Sequence, residues 1–265
     1  MLKLKNLLFE SSITGQTQGS EEIGGFKGFF KLSEMEKYKK WIKKTLRVEL
    51  VEGYKDPGIF KAVFLAGGPG SGKSFVANKM LSGTGLRTIN SDDIYEYMMR
   101  KAGKQLTPAD IYSDEGQEIR DRAKQITKRK ETLHLDGRLG LIIDGTGKDV
   151  SKVKQTNEQL KELGYETMML FVNTSEDVAQ ERNENRPRSL PREQVSKMWQ
   201  AVQQNLMKFQ QLFGARDFHI VDNSGGLEDS ERKENFLEVD RAIDKFLNKP
   251  PSMPQATNWI QDQKG

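Results

Sequence analysis

Five short apolar runs punctuate an otherwise charged chain. Residues 62–66, Ala-Val-Phe-Leu-Ala, are unbroken in this respect, the pattern of a strand buried on both faces. Less purely apolar stretches at 86–90, 139–143, 166–172 and 218–221 read as four further strands. The stretches between them read as helices: 73–81, 94–101, a short one opened by Thr107-Pro108, a long charged one over 115–134, then 150–163, one beginning at Ser175, 191–213 and 230–247. Strand and helix alternate, and each connection is long enough for a crossover. The pattern predicts an α/β fold in three layers, a five-stranded parallel sheet with helices on both faces.

The ends of the chain depart from this rhythm. Residues 1–25 read as a flexible leader, with alternating apolar and basic residues giving way to a polar, Gly-rich stretch, and without the long apolar segment of an export signal. Residues 26–57 read as a basic amphipathic helical extension. Ser33 and Glu36 form a capping box, Met35, Tyr38, Trp41, Ile42 and Leu46 share a stripe, and lysines crowd the rest. That helix either packs its stripe on the core or offers its lysines to a nucleic-acid backbone or another partner. The main domain spans 58–248, and 249–265 is a Pro-rich tail whose Trp259 and Ile260 can dock on the surface.

Composition narrows the classes. At 265 residues with 35% hydrophobic and 30% charged, the chain suits one sizeable domain with appendages. No segment approaches the roughly 20 apolar residues of a membrane span. The net charge of +4 is too small to imply nucleic acid by itself. Absent cysteine rules out disulfides and thiolate metal sites and suits a reducing cytoplasm. With only His134 and His219, a histidine-centred site is not expected.

The chemistry begins where the first strand stops. Residues 67–74 have the spacing G-x-x-x-x-G-K-S, a turn whose backbone N–H groups curl around an anion at a helix N-terminus. Gly68, Pro69, Gly70, Ser71 and Gly72 form the cradle. Lys73 reaches the terminal phosphates of a nucleoside triphosphate, and the Ser74 hydroxyl ligates Mg2+. The second strand delivers Asn90-Ser91-Asp92-Asp93 at its carboxyl end, where open α/β sheets bind ligands. Asp92 is the candidate general base, with the plainer alternative that Asp92 or Asp93 merely caps the next helix. The third strand ends in Asp144, the candidate second magnesium ligand. Pro187 and Pro191 break the chain after Arg182 and Arg186, leaving a short arginine-bearing lid, and Asn223 lies in a loop after the fifth strand that can border the base.

These pieces resemble the P-loop kinases grouped around phage polynucleotide 5′-kinase and zeta toxin. The likeness rests on residues 67–74, Asn90-Ser91-Asp92-Asp93, Asp144-Gly145-Thr146, and Arg182-x-x-x-Arg186 followed by Leu190-Pro191. It implies an adenylate-kinase-like sheet in the order 2-3-1-4-5, ATP and Mg2+ as cofactors, Asp92 as base, and Arg182 and Arg186 as stabilisers of the moving phosphoryl group. One position departs. The polynucleotide kinase pattern has an arginine three residues after the base to grip the acceptor phosphate, and this chain has Tyr95, with Arg120 or Arg122 as substitutes. Residues 1–10, ending Leu8-Phe9-Glu10, are similar to the capsid-targeting leaders of tailed-phage head proteins, which implies packaging into a virion interior.

The expected activity is therefore transfer of the ATP γ-phosphoryl group to an acceptor hydroxyl on a nucleic-acid 5′ end, a nucleotide-sugar or a protein. A nucleotide-binding interaction protein is the alternative, and an NTPase without an acceptor a third.

Overall fold

The structure, a computed structural model, describes residues 54–56, 58–185, 189–224 and 229–264. The leader, the basic helix expected over 33–47, and Arg186 with Arg188 lie outside the described residues.

Five strands, β1 (Lys61–Ala66), β2 (Arg87–Ile89), β3 (Leu141–Asp144), β4 (Glu166–Asn173) and β5 (Phe218–Asp222), form one parallel sheet in the order β2-β3-β1-β4-β5. The order is the one the resemblance implied. The described helices are α1 (Lys73–Met80), α2 (Ser91–Lys101), α3 (Pro108–Ile111), α4 (Asp114–Asp136), α5 (Val150–Glu162), α6 (Glu176–Glu184), α7 (Arg192–Gln203), α8 (Leu206–Phe213), α9 (Asp229–Asn248) and α10 (Pro254–Lys264).

Every residue of β1 is buried, because successive side chains feed two different cores. Ala62, Phe64 and Ala66 join Met169 and Phe171 of β4 and meet Leu160, Val202, Phe209 and Phe213 from α5, α7 and α8. Val63 and Leu65 point the other way, with Met168, Leu170 and Val172, onto Val76 and Met80 of α1 and Phe236, Val239 and Ile243 of α9. Full burial of side chains this large contributes about 1.5–3 kcal/mol each. The two cores thus fix the centre of the sheet and the loops at its carboxyl edge. A smaller cluster of Tyr95, Met99 and Ala123 seats α2 on α4.

Three segments differ from the expected elements. α2 starts at Ser91 rather than 94 because Asn90 caps it, its side-chain oxygen accepting from the Asp92 N–H at 2.8 Å; neither aspartate is the cap. The helix expected over 191–213 is two helices, α7 and α8. At the break, the buried Asn205 donates to the carbonyls of Gly147 and Lys148, both at 3.0 Å. The Pro-rich tail is largely helical. Pro254 stands at the first position of α10, where a missing N–H costs nothing, and that helix buries Ala256 completely and sets Trp259 edge-on to Phe60 at 5.5 Å.

Candidate functional site

The loop after β1 is bent by two glycines with left-handed backbone, Gly70 at φ +75° and Gly72 at φ +84°. Both are also crowded. A Cβ on Gly70 would lie 2.2 Å from the Ala179 carbonyl oxygen, and one on Gly72 2.2 Å from Asn223 Nδ2. Only glycine satisfies the turn and the close approach together. The loop is wedged between helices, with Ala179 of α6 against Gly70 and Trp199 of α7 beside Gly68. It is also tied to the loop after β3, since the Gly67 N–H donates to the Thr146 carbonyl at 3.1 Å.

Lys73 and Ser74 open α1. The Lys73 ammonium donates to the Gly67 carbonyl at 2.7 Å, which places it across the mouth of the loop. Asp144 ends β3, the strand beside β1, in register with Leu65. Burial pushes its carboxyl above the ordinary aspartate value. The Lys73 ammonium and a hydrogen bond from Asn90 pull it down, while the charges of Asp93 and Asp92 push it up. Asp92 and Asp93 occupy the first turn of α2. Asp93 is raised by partial burial and then by Asp92, with Lys130 of α4 opposing. Four of the expected charges, Lys73, Asp92, Asp93 and Asp144, therefore share one electrostatic neighbourhood.

Arg182, on α6, donates to the Gly70 carbonyl at 3.4 Å. Asn223 is buried, and its amide donates to the Ser71 carbonyl at 2.7 Å. Its side chain thus braces the loop and also lines the cleft beside it. A cleft of about 410 Å³ runs from Gly72, Arg182 and Asn223 out to Phe75, Arg232 and Phe236. Phe75 is 54% exposed at its rim, and Lys79 lies 4.5 Å above the Phe236 ring. Arg120, half-buried on α4, stacks its guanidinium 4.6 Å from the ring of the buried Tyr95.

The residues present fit a hard divalent cation. Asp144 Oδ2 accepts from Asn90 at 3.0 Å, while Asp144 Oδ1 is buried with no hydrogen-bond partner. Among the described residues no group of three or more His, Cys, Asp or Glu side chains could hold a metal. A cation here would take few protein oxygens and complete its shell with phosphate oxygens and water, the habit of Mg2+.

Reading residues by motif includes Asn90 without a role of its own and misses Thr174 and Trp199. Asn90 carries a signal in hindsight, because asparagine ahead of an acidic first turn is a strong N-cap. Trp199, whose indole N–H donates to the Thr174 carbonyl at 2.8 Å beside the phosphate loop, carries none.

A parallel sheet in the order 2-3-1-4-5, with a phosphate loop after its central strand and an aspartate ending the strand beside it, is the fold of P-loop kinases. Within that class, a family model described as zeta toxin matches residues 49–234. The chain belongs to the zeta toxin family. It is 26% identical over 121 residues to an adenylate kinase of Enterococcus faecalis (strain ATCC 700802 / V583), a match covering 45% of this chain and 56% of that protein. Among solved structures, it is similar to a chain from the PezAT chromosomal toxin-antitoxin system of Streptococcus pneumoniae, with a TM-score of 0.48 and 18% identity, covering 83% of this chain and 99% of that one. Shikimate kinase from Bacteroides thetaiotaomicron gives a TM-score of 0.43 and 14% identity over 69% of this chain and 98% of that chain. No helix among the described residues is long and apolar enough to cross a membrane.

Proposed function

We propose that the protein is an ATP-dependent kinase that transfers the γ-phosphoryl group to an acceptor hydroxyl. The observation that carries this reading is the grouping of Lys73, Asp92, Asp93 and Asp144 at the carboxyl edge of the sheet. A nucleotide holder needs the loop and the lysine. It has no use for a further carboxylate pair, Asp92 and Asp93, in the first turn of the helix that follows β2.

In this reading the backbone amides of the loop and Lys73 hold the β- and γ-phosphates. Ser74 and Asp144 Oδ1 hold Mg2+, which when bound neutralises charge on the phosphate oxygens. Asp92 accepts the acceptor's hydroxyl proton as its oxygen attacks the γ-phosphorus; the bond from phosphorus to the β–γ bridging oxygen breaks, and ADP leaves. Arg182, anchored against Gly70, offers positive charge to the three equatorial oxygens, and Arg186 is assigned the same task. Phe75 and the cleft leading to Phe236 receive the nucleoside. The candidate acceptors are a nucleic-acid 5′ end, a nucleotide-sugar and a protein side chain. Tyr95 is buried where the resemblance has an acceptor-gripping arginine, and the Arg120 guanidinium stacked on its ring is the substitute that would grip an acceptor phosphate.

The test is incubation with γ-labelled ATP and a panel of 5′-hydroxyl oligonucleotides, nucleotide-sugars and cell lysate. Label is expected in one acceptor class. Asp92→Asn is expected to keep ATP binding and lower transfer by about 10²–10⁴-fold, while Lys73→Ala loses both. Normal transfer by Asp92→Asn would remove Asp92 from the role of base.

A further inference from the structure

The Asn90 side chain is used at both ends. Its Oδ1 accepts from the Asp92 N–H at 2.8 Å, and its Nδ2 donates to Asp144 Oδ2 at 3.0 Å. The amide has one workable orientation, because the Asp92 N–H can only be met by the oxygen, which leaves the NH2 group facing the carboxylate. The two partners belong to different halves of the site. Asp92 sits on α2, packed on α4, whereas Asp144 ends a strand of the central sheet. β2 itself is only three residues long. Its pairing with β3 ends at Ile89, opposite Ile143, and past that point the Asn90 side chain ties the start of α2 to the end of β3. The bond to Oδ2 also decides which oxygen of Asp144 remains open, for Oδ1 is the one left buried and unpartnered.

We propose that Asn90 is a positioning residue that couples the two halves of the site: by holding Asp144 Oδ2 it turns Oδ1 toward the cation, and by capping α2 it sets Asp92 at a fixed separation from that cation. The inference rests on the kinase reading above. It names no new contact with substrate, since Asn90 acts through Asp144 and Asp92. Removing the bond to Asp144 leaves a buried carboxylate free to rotate, and outer-shell partners of this kind are worth about 10–100-fold in metal affinity.

Capping and positioning can be separated by substitution. Serine caps a helix about as well as asparagine, but its hydroxyl is too short to serve both Asp92 and Asp144. The experiment compares full-length wild type, Asn90→Ser, Asn90→Ala and Asp144→Asn by thermal unfolding and by Mn2+ titration, read by electron paramagnetic resonance, with a saturating non-hydrolysable ATP analogue. Asn90→Ala is expected to lose about 2–4 °C in Tm and at least about tenfold in Mn2+ affinity. Asn90→Ser is expected to regain the Tm and not the affinity. Recovery of both by Asn90→Ser would reduce Asn90 to a cap and overturn the proposal. If instead wild type with the analogue binds no Mn2+, or Asp144→Asn binds it as wild type does, the metal assignment to Asp144 fails, and with it the reading on which this one rests.

Discussion

Gly72 shows how much one residue is asked to do. Its backbone is left-handed, it closes the phosphate loop, and the space a side chain would need is filled by the Asn223 amide that braces Ser71. An alanine there costs about 1–2 kcal/mol for the backbone alone, and the Cβ must also displace Asn223, whose buried amide then loses the Ser71 carbonyl. Gly72→Ala is accordingly expected to unfold several degrees below wild type and to lose ATP binding, measured by thermal unfolding with and without nucleotide. Asn223→Ala separates the two effects. It removes the brace without the strain, so it should keep more of the nucleotide-induced rise in Tm than Gly72→Ala does. Equal loss in both variants would mean that the brace, rather than the backbone geometry, sets the shape of the loop.

At the scale of elements, the break between α7 and α8 hangs on Asn205. Two carbonyls in the loop after β3, those of Gly147 and Lys148, have its amide as their donor, and Gly67 is tied to the same loop through Thr146. Asn205→Ala takes the donor from the buried Gly147 carbonyl, and a buried acceptor left unsatisfied costs about 1–3 kcal/mol. Urea denaturation is expected to show a lowered midpoint; a loss under about 0.5 kcal/mol, the scale of a surface change, would mean water replaces the amide. This break was invisible in the sequence because 191–213 keeps helical periodicity straight through Asn205, and only the tertiary partners reveal why the chain turns. The start of α2 was misplaced for a related reason. Asn90-Ser91-Asp92-Asp93 offers four capping residues in a row, and the choice among them falls to Asn90 once Asp144 is present to hold its other end. The apolar runs and the glycine spacing, in contrast, were legible because burial on both faces and a left-handed turn each leave few residue types to choose from. The helix within residues 249–265 was not legible because prolines signal a break without telling whether a helix resumes after it, whereas the docking expected of Trp259 and Ile260 is present.

Across the whole molecule, binding and stability are built at opposite edges of the sheet. The phosphate loop, Asp92 and Asp144 lie at the carboxyl ends of the strands, while Lys61 and Glu166 face each other in register at the first residues of β1 and β4. Lys61 is buried and paired with Glu166, which also accepts from Lys249 at 3.1 Å and from Ser252, so the segment joining α9 to α10 is latched to the sheet's amino edge. Burial alone would raise the Glu166 carboxyl, but hydrogen bonds from Lys61, Ser252 and Lys249 outweigh it and hold the group down to about 2, against an ordinary value of 4.5. Because the folded value lies below the unfolded one, the stability Glu166 contributes is complete above pH 4.5 and is lost as the pH falls through about 2. Glu166→Gln leaves the Lys61 ammonium buried without its counter-charge, a loss of about 3–5 kcal/mol for breaking such a pair. Urea denaturation of wild type and Glu166→Gln is therefore expected to show a constant gap between pH 5 and 7 that narrows steadily on acidification below 4.5. A gap unchanged at pH 2.5 would show that packing, not charge, holds the latch. Since no residue of this latch touches the phosphate loop, Glu166→Gln should bind ATP as wild type does wherever it is folded, and a nucleotide affinity that fell together with the stability would tie the two edges of the sheet into one cooperative device.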